Sequence, residues 1–175
     1  GPAPIREESP RPARSNPGAR DEEALLAIAL ADDAWRRRTV EVARPEWFED
    51  PELREVFESL ARTPAGDLGA IPEGLSPGAQ GHWTALLDRA AVRSGRGLDQ
   101  EFTTACQLLE SRPLVRELQG LQRRLQAATG SEQEALFREK ALRIEELNAR
   151  YPEVIRTQHT RRRLRESPAD GRRRS

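Results

Sequence analysis

The sequence predicts an all-α protein: a small helical bundle followed by a helical hairpin. A disordered N-terminal linker precedes them and a basic C-terminal tail comes after. Three observations carry this. Apolar residues recur at helical spacing in segment after segment between residues 21 and 151. No stretch alternates apolar and polar residues as a half-buried strand does. The breaks between segments hold the cap residues, prolines and glycines that start and stop helices.

Composition sets the scale. The chain has 175 residues, 36% apolar and 33% charged, enough for a modest core but not one spanning its whole length. Twenty-nine basic residues balance 29 acidic ones, and the balance is uneven along the chain. Residues 21–112 carry 10 basic and 18 acidic residues, a net of −8; residues 152–175 carry 8 and 3, a net of +5. A single cysteine, Cys106, allows no internal disulfide, and with only His82 and His159 it predicts no zinc site. With no signal peptide and no long apolar run, the expectation is a soluble, cytoplasmic protein away from membranes. A start at Gly-Pro without Met suggests a piece of a longer or processed chain.

Residues 1–20, "GPAPIREESPRPARSNPGAR", hold five prolines and almost nothing apolar, as a linker does. The first helix, "DEEALLAIAL", is capped by Asp21 in this reading and is apolar nearly all round, which suits a central core helix. Asp32 and Asp33 open the second, in which Trp35, Thr39 and Val42 face inward and Arg36, Arg37 and Arg38 mostly outward. Pro45 stops it at Arg44. Asp50 then caps a third helix, "PELREVFESLA", with Pro51 at its first position and Leu53, Val56, Phe57 and Leu60 on one face.

The short connector between these helices carries Trp47 and Phe48, two of only eight aromatic residues. Each would bury about 150–250 Å² by turning inward, so Phe48 is expected to plug the core. Residues 63–81 read as a Gly/Pro-rich loop with a short helical turn. "HWTALLDRAAV" and "LDQEFTTACQLLES" come next as helices, separated by "RSGRG"; Leu98, Phe102, Ala105, Cys106 and Leu109 point inward. Together residues 21–112 form the bundle, and Pro113 marks a break near residue 112.

Residues 113–151 form the hairpin. Leu114, Leu118, Leu121 and Leu125 make a narrow seam, and Thr129–Gly130 ends that helix. Ser131 and Glu134 form a capping box for the next, which places Phe137, Ala141, Ile144 and Tyr151 along one stripe. Residues 152–175 are a basic, largely disordered tail, a frayed helix passing into disorder, with two clusters of arginine, at 161–165 and 172–174. Arg161, Arg162, Arg163 and Arg165 are its candidate phosphate contacts, with no interleaved aromatics for base reading.

No residue set predicts catalysis, a cofactor or a metal. Asp32–Asp33 reads as a capping pair, "SGRG" at 94–97 as a turn lacking the context and Lys of a P-loop, and Cys106 as a core thiol.

"EEALLAIAL" followed by "VARPEWFEDPELREVFESLA" resembles the helix–helix–"PE-x-F-x-D-P"–helix signature of the C-terminal, helicase-binding domain of bacterial DnaG-type DNA primase. The related N-terminal domain of DnaB-type replicative helicases shares it. Pro45, Glu46, Phe48, Asp50, Pro51 and Phe57 match the pattern, and Trp47 lies within it. The later order of bundle, connecting helix and hairpin is similar to the primase domain over residues 21–151. The resemblance implies a non-catalytic interaction module of an enzyme whose zinc-binding and RNA-polymerising parts lie upstream. Its partner would be the N-terminal collar of the DnaB-type helicase, contacted through the hairpin. Leu136, Phe137, Lys140, Ile144 and Leu147 are the candidate contacts there, some facing inward and some facing the partner. The basic tail departs from the family; DNA or a single-stranded DNA-binding protein would be its partner. Three other readings remain: a self-associating helicase collar domain, a nucleic-acid-binding accessory protein, and an unrelated helical scaffold that binds neither helicase nor DNA.

Overall fold

A computed structural model describes residues 18–93, 95 and 97–166, with side chains through Arg163. Among these residues there are eight α-helices and no strand, so the chain is all-α as expected. The linker before Gly18 and the residues after Glu166 lie outside the described residues.

α1 (Ala19–Ala29) is the axis of the bundle. Leu25, Leu26, Ala27, Ile28 and Ala29 are inaccessible to solvent, and α2 (Asp33–Val42), α3 (Pro51–Arg62), α4 (Pro77–Ala91) and α5 (Leu98–Glu110) pack around them. Each buried large aliphatic side chain contributes about 1.5–3 kcal/mol. Asp21 does not cap this helix. α1 opens two residues earlier, beside Gly18, and the Asp21 carboxylate instead accepts from Arg161 at 3.0 Å.

Asp32 caps α2, accepting from the Trp35 N–H at 2.8 Å. Thr39 is buried and Trp35 half-buried, its ring 5.4 Å from that of Phe102. Val42 departs from expectation: α2 ends there, and the side chain is 44% exposed. Arg36, expected to face outward, is buried next to Asp33 at 3.4 Å. Pro45–Trp47 then makes one 3₁₀ turn that aims Phe48 into the core. Phe48 is inaccessible and stacks on Phe57 with ring centres 4.8 Å apart. Trp47 packs half-buried against the same core. Asp50 caps α3 through the N–H groups of Glu52 (2.9 Å) and Leu53 (3.1 Å), with Pro51 at the first helical position. The α3–α4 loop is shorter than predicted. Ser76 caps α4, which opens at Pro77 rather than at His82. Glu55 holds that cap, accepting from the Ser76 N–H at 2.7 Å and its hydroxyl at 2.6 Å.

Ser111 alone separates α5 from α6 (Arg112–Ala127), so the break at Pro113 is one residue wide. Pro113 sits in the first turn of α6, where it displaces no intrahelical bond. α6 and α7 (Gly130–Arg150) form the hairpin. The capping box does not form: α7 opens at Gly130, after Thr129, with no side-chain cap, and Ser131 and Glu134 lie inside the helix near its start. Gly130 has φ +62°, a backbone other residues rarely adopt.

The segment expected as a largely disordered tail, with a frayed helix at its start, is helical through Glu166. Residues Pro152–Glu166 form α8, which turns back onto α5 and α7. Val154 is the reason: it is 1% exposed, clustered with Leu114, Leu147 and Tyr151. The Glu153 N–H also donates to Gln107 Oε1 of α5 at 2.9 Å.

One buried ion pair fastens hairpin to bundle. Glu22 of α1 is 1% exposed, and its carboxylate accepts from Arg112 (2.6 Å), from the Glu49 N–H (2.9 Å) and from the Asp50 N–H (3.3 Å). Arg112 also donates to the carbonyls of Trp47, at 3.0 Å, and Gly18. Burial pushes the Glu22 carboxyl above its ordinary value of 4.5, and the Arg112 guanidinium opposes that rise.

Phe48→Ala should cost about 3–5 kcal/mol in a denaturant melt; a loss under about 1 kcal/mol would contradict the plug. Glu22→Leu should cost about 3–5 kcal/mol by stranding Arg112, while Glu22→Leu with Arg112→Met should recover part of it, because the stranded charge is gone although the Glu49 and Asp50 N–H groups and the Gly18 and Trp47 carbonyls lose their partners. An equal loss in both variants would show that the pair itself is not the fastener. At the α4 cap, the two Ser76 bonds hold the Glu55 carboxyl below 4.5. The folded state therefore binds fewer protons at Glu55 than the unfolded state does. That stability is present above pH 4.5 and is lost as pH falls through the folded value, so Glu55→Gln should flatten the acid limb of a stability–pH curve.

Candidate functional site

The distal hairpin is held by few apolar residues. Leu121, Leu125 and Ala128 on the α6 side meet Leu136 of α7 in a cluster of their own. Polar clasps flank the seam. Arg143 donates to Glu117 of α6 at 2.7 Å and to Glu146 at 3.2 Å, and Lys140 donates to Gln122 at 2.5 Å. The Glu117 carboxylate beside it raises the Arg143 pKa above its ordinary value.

This arrangement sorts the five residues predicted to meet a partner. Leu136 and Leu147, each 3% exposed, are core residues; they face α6 and the α8 junction and are unavailable to a partner. Lys140 is half-buried and committed to Gln122. Phe137 and Ile144 are exposed, at 56% and 38%. Ala141, between them in sequence, is exposed too. At 3.6 residues per turn, positions 137, 141 and 144 lie on one side of α7, so they form a solvent-facing apolar stripe along the rim of the seam. Tyr151, expected to extend that stripe, ends α7 instead and is buried beneath α8. Leu142, 65% exposed on another side of α7, has no periodic partner to mark it in the sequence.

The buried stripe of α7 runs one position away from the predicted one, through Leu136, Lys140, Arg143 and Leu147. The difference has a physical cause. Lys and Arg stems cover apolar surface while their heads reach polar partners, so charged residues serve as seam positions. A pattern read from apolar letters alone therefore selects the neighbouring stripe.

The connector residues Pro45, Trp47, Phe48, Asp50, Pro51 and Phe57 gather at the α1–α3 junction, where they are structural. Of the arginines expected to contact nucleic acid, Arg161 is paired with Asp21. Arg162 and Arg163 are exposed on α8, and the Arg165 side chain lies outside the described residues.

Two further groups carry chemistry without forming a convincing site. Asp50, Glu52 and His82 offer ligand atoms within 4.8 Å of one another, a grouping the sequence does not suggest. Asp50 is occupied as the α3 cap, Glu52 pairs with His82 at 3.1 Å, and the positive end of α3 disfavours a cation there. Cys106 is buried in the α5 core face; desolvation, reinforced by Glu110 and opposed by Arg38, pushes its thiol up to about 12. Such a thiol is not a nucleophile near neutral pH.

Comparison of the chain with family models, with curated proteins and with solved structures finds no match.

Proposed function

We propose that this chain is a docking module of a DnaG-type bacterial primase, which holds its parent enzyme on the N-terminal collar of a DnaB-type replicative helicase during primer synthesis. The observation that carries the reading is the exposed apolar stripe of Phe137, Ala141 and Ile144 on a thinly cored hairpin. Exposed large apolar residues aligned on one helix face suit a partner helix or groove, and an aromatic at the stripe's end suits a binding hot spot. The resemblance of residues 21–61 to the family signature supplies the identity of the partner.

The module does no chemistry in this reading. It raises the local concentration of the polymerising parts at the fork, an effect set by tether length rather than by new contacts. The bundle supports the hairpin through the buried Glu22–Arg112 pair and through the cluster of Val154 with Leu114, Leu147 and Tyr151. The replicative cellular setting makes the cytoplasm the place of action.

The test is calorimetric titration of the chain against the DnaB-type helicase of the same genome, with Phe137→Asp and Ile144→Asp beside it. Each variant should bind at least about tenfold more weakly, a change of about 1.4 kcal/mol, while its melting temperature stays that of the parent because both sites face solvent. Absence of binding by the folded parent, or undiminished binding by both variants, would overturn the reading. Dimerisation of the chain alone through the same stripe would favour a helicase collar domain instead.

A further inference from the structure

α8 presents two faces of opposite character. Its inner face is Val154, Thr157 and Arg161: Val154 is buried, Thr157 half-buried, and Arg161 reaches Asp21 of α1 at 3.0 Å. On its outer face Arg156, His159, Thr160 and Arg163 succeed one another at i, i+3, i+4 and i+7, and His159, Thr160 and Arg163 are exposed. Burial of the inner face fixes which residues point outward; the row is a consequence of packing, not of a free tail.

The charge on that helix is one-sided. Between Glu153 and Glu166 the sequence has five arginines, at 156, 161, 162, 163 and 165, and no acidic residue. Glu153 pairs with Arg156 at 3.2 Å at the helix start, leaving the Arg156 side chain 74% exposed. The body behind the helix is acidic, with a net of −8 over residues 21–112, yet α8 spends Arg161 on it and turns Arg156 and Arg163 away. Seven residues of helix span about 10 Å, the rise of about three nucleotides along one strand. No Trp, Tyr or Phe stands in the row, so it lacks the large rings on which successive bases stack.

We propose that the outer row of α8 is a nucleic-acid contact that grips the phosphate backbone without reading sequence. Arg156 and Arg163 supply the charge, with the His159 ring between them as a hydrogen-bonding group; the Thr160 hydroxyl donates to the Arg156 carbonyl at 3.0 Å and stays with the helix. α7 runs from the hairpin tip to Tyr151, and α8 turns back from there onto α5, so the row and the Phe137 stripe lie on different helices on either side of that junction. A partner on the stripe and a strand on the row therefore use separate helices. This inference stands independently of which protein binds the stripe.

The experiment is fluorescence anisotropy of a labelled oligo-dT with the full chain across a salt series. Binding should weaken as salt rises. Arg156→Ala with Arg163→Ala should weaken binding and make the log–log slope shallower by about 1.4, two phosphate contacts on a single strand at about 0.7 each. Arg156→Lys with Arg163→Lys should keep the parent slope. Helical circular dichroism of each variant should match the parent. A chain with Arg172, Arg173 and Arg174 all changed to Ser should retain most of the affinity. No binding by the parent, an unchanged slope in the alanine pair, or loss of binding in the serine triple would each overturn the proposal. So would retention on anionic vesicles by a parent chain that ignores the oligonucleotide.

Discussion

The pairing of Glu22 with Arg112 is the constraint on which the rest of the molecule depends. A carboxylate removed from water costs several kcal/mol unless it is fully partnered. Glu22 has three donors: one guanidinium and two backbone N–H groups from the connector. The same guanidinium satisfies the carbonyls of Gly18 and Trp47. One interaction therefore fixes the start of α1, the shape of the aromatic connector and the direction in which α6 leaves the bundle. Phe48 and Phe57 complete the junction from the apolar side, so its polar and apolar halves specify the same geometry.

The second tier of fastening is also polar and lies at the rim. Arg116 pairs with Glu49, and Arg161 with Asp21, both in contact with solvent on at least one partner. Exposed pairs of this kind contribute little to stability, so orientation of the hairpin rests on the buried pair and on Val154 and its neighbours. The distal hairpin has only its own small cluster. Regions with few buried apolar contacts open most readily. That combination suits a surface whose partner completes its packing.

Much of the fold is legible in the sequence because the local signals agree. Asp50–Pro51 states a helix start in two residues, and the structure places both in those roles. The apolar run of α1 announces a helix with no outside, and its residues are inaccessible. The misread elements turn on context. Ser131 and Glu134 satisfy the spacing of a capping box, but the glycine before them allows the helix to begin sooner. The stretch from Pro152 reads as a frayed helix passing into disorder, yet proline is a good first residue of a helix, and Val154 docks the helix that it opens. The candidate site is half legible: Phe137 and Ile144 can be named from the sequence, but only the packing shows that Leu136 and Leu147 beside them are spent inside.

The central position of α1 has a consequence during synthesis. α1 is apolar on nearly every side, and it is made before the helices that cover it. Its chief neighbour α5 ends at Glu110, 81 positions after α1 ends at Ala29. At a translation rate of about 5–20 residues per second, the ribosome takes roughly 4–16 s to make that stretch. For that interval the most water-averse segment of the chain emerges with its cover incomplete, a nascent ligand for ribosome-associated chaperones, and Arg112 arrives to pair with Glu22 only as the cover is finished.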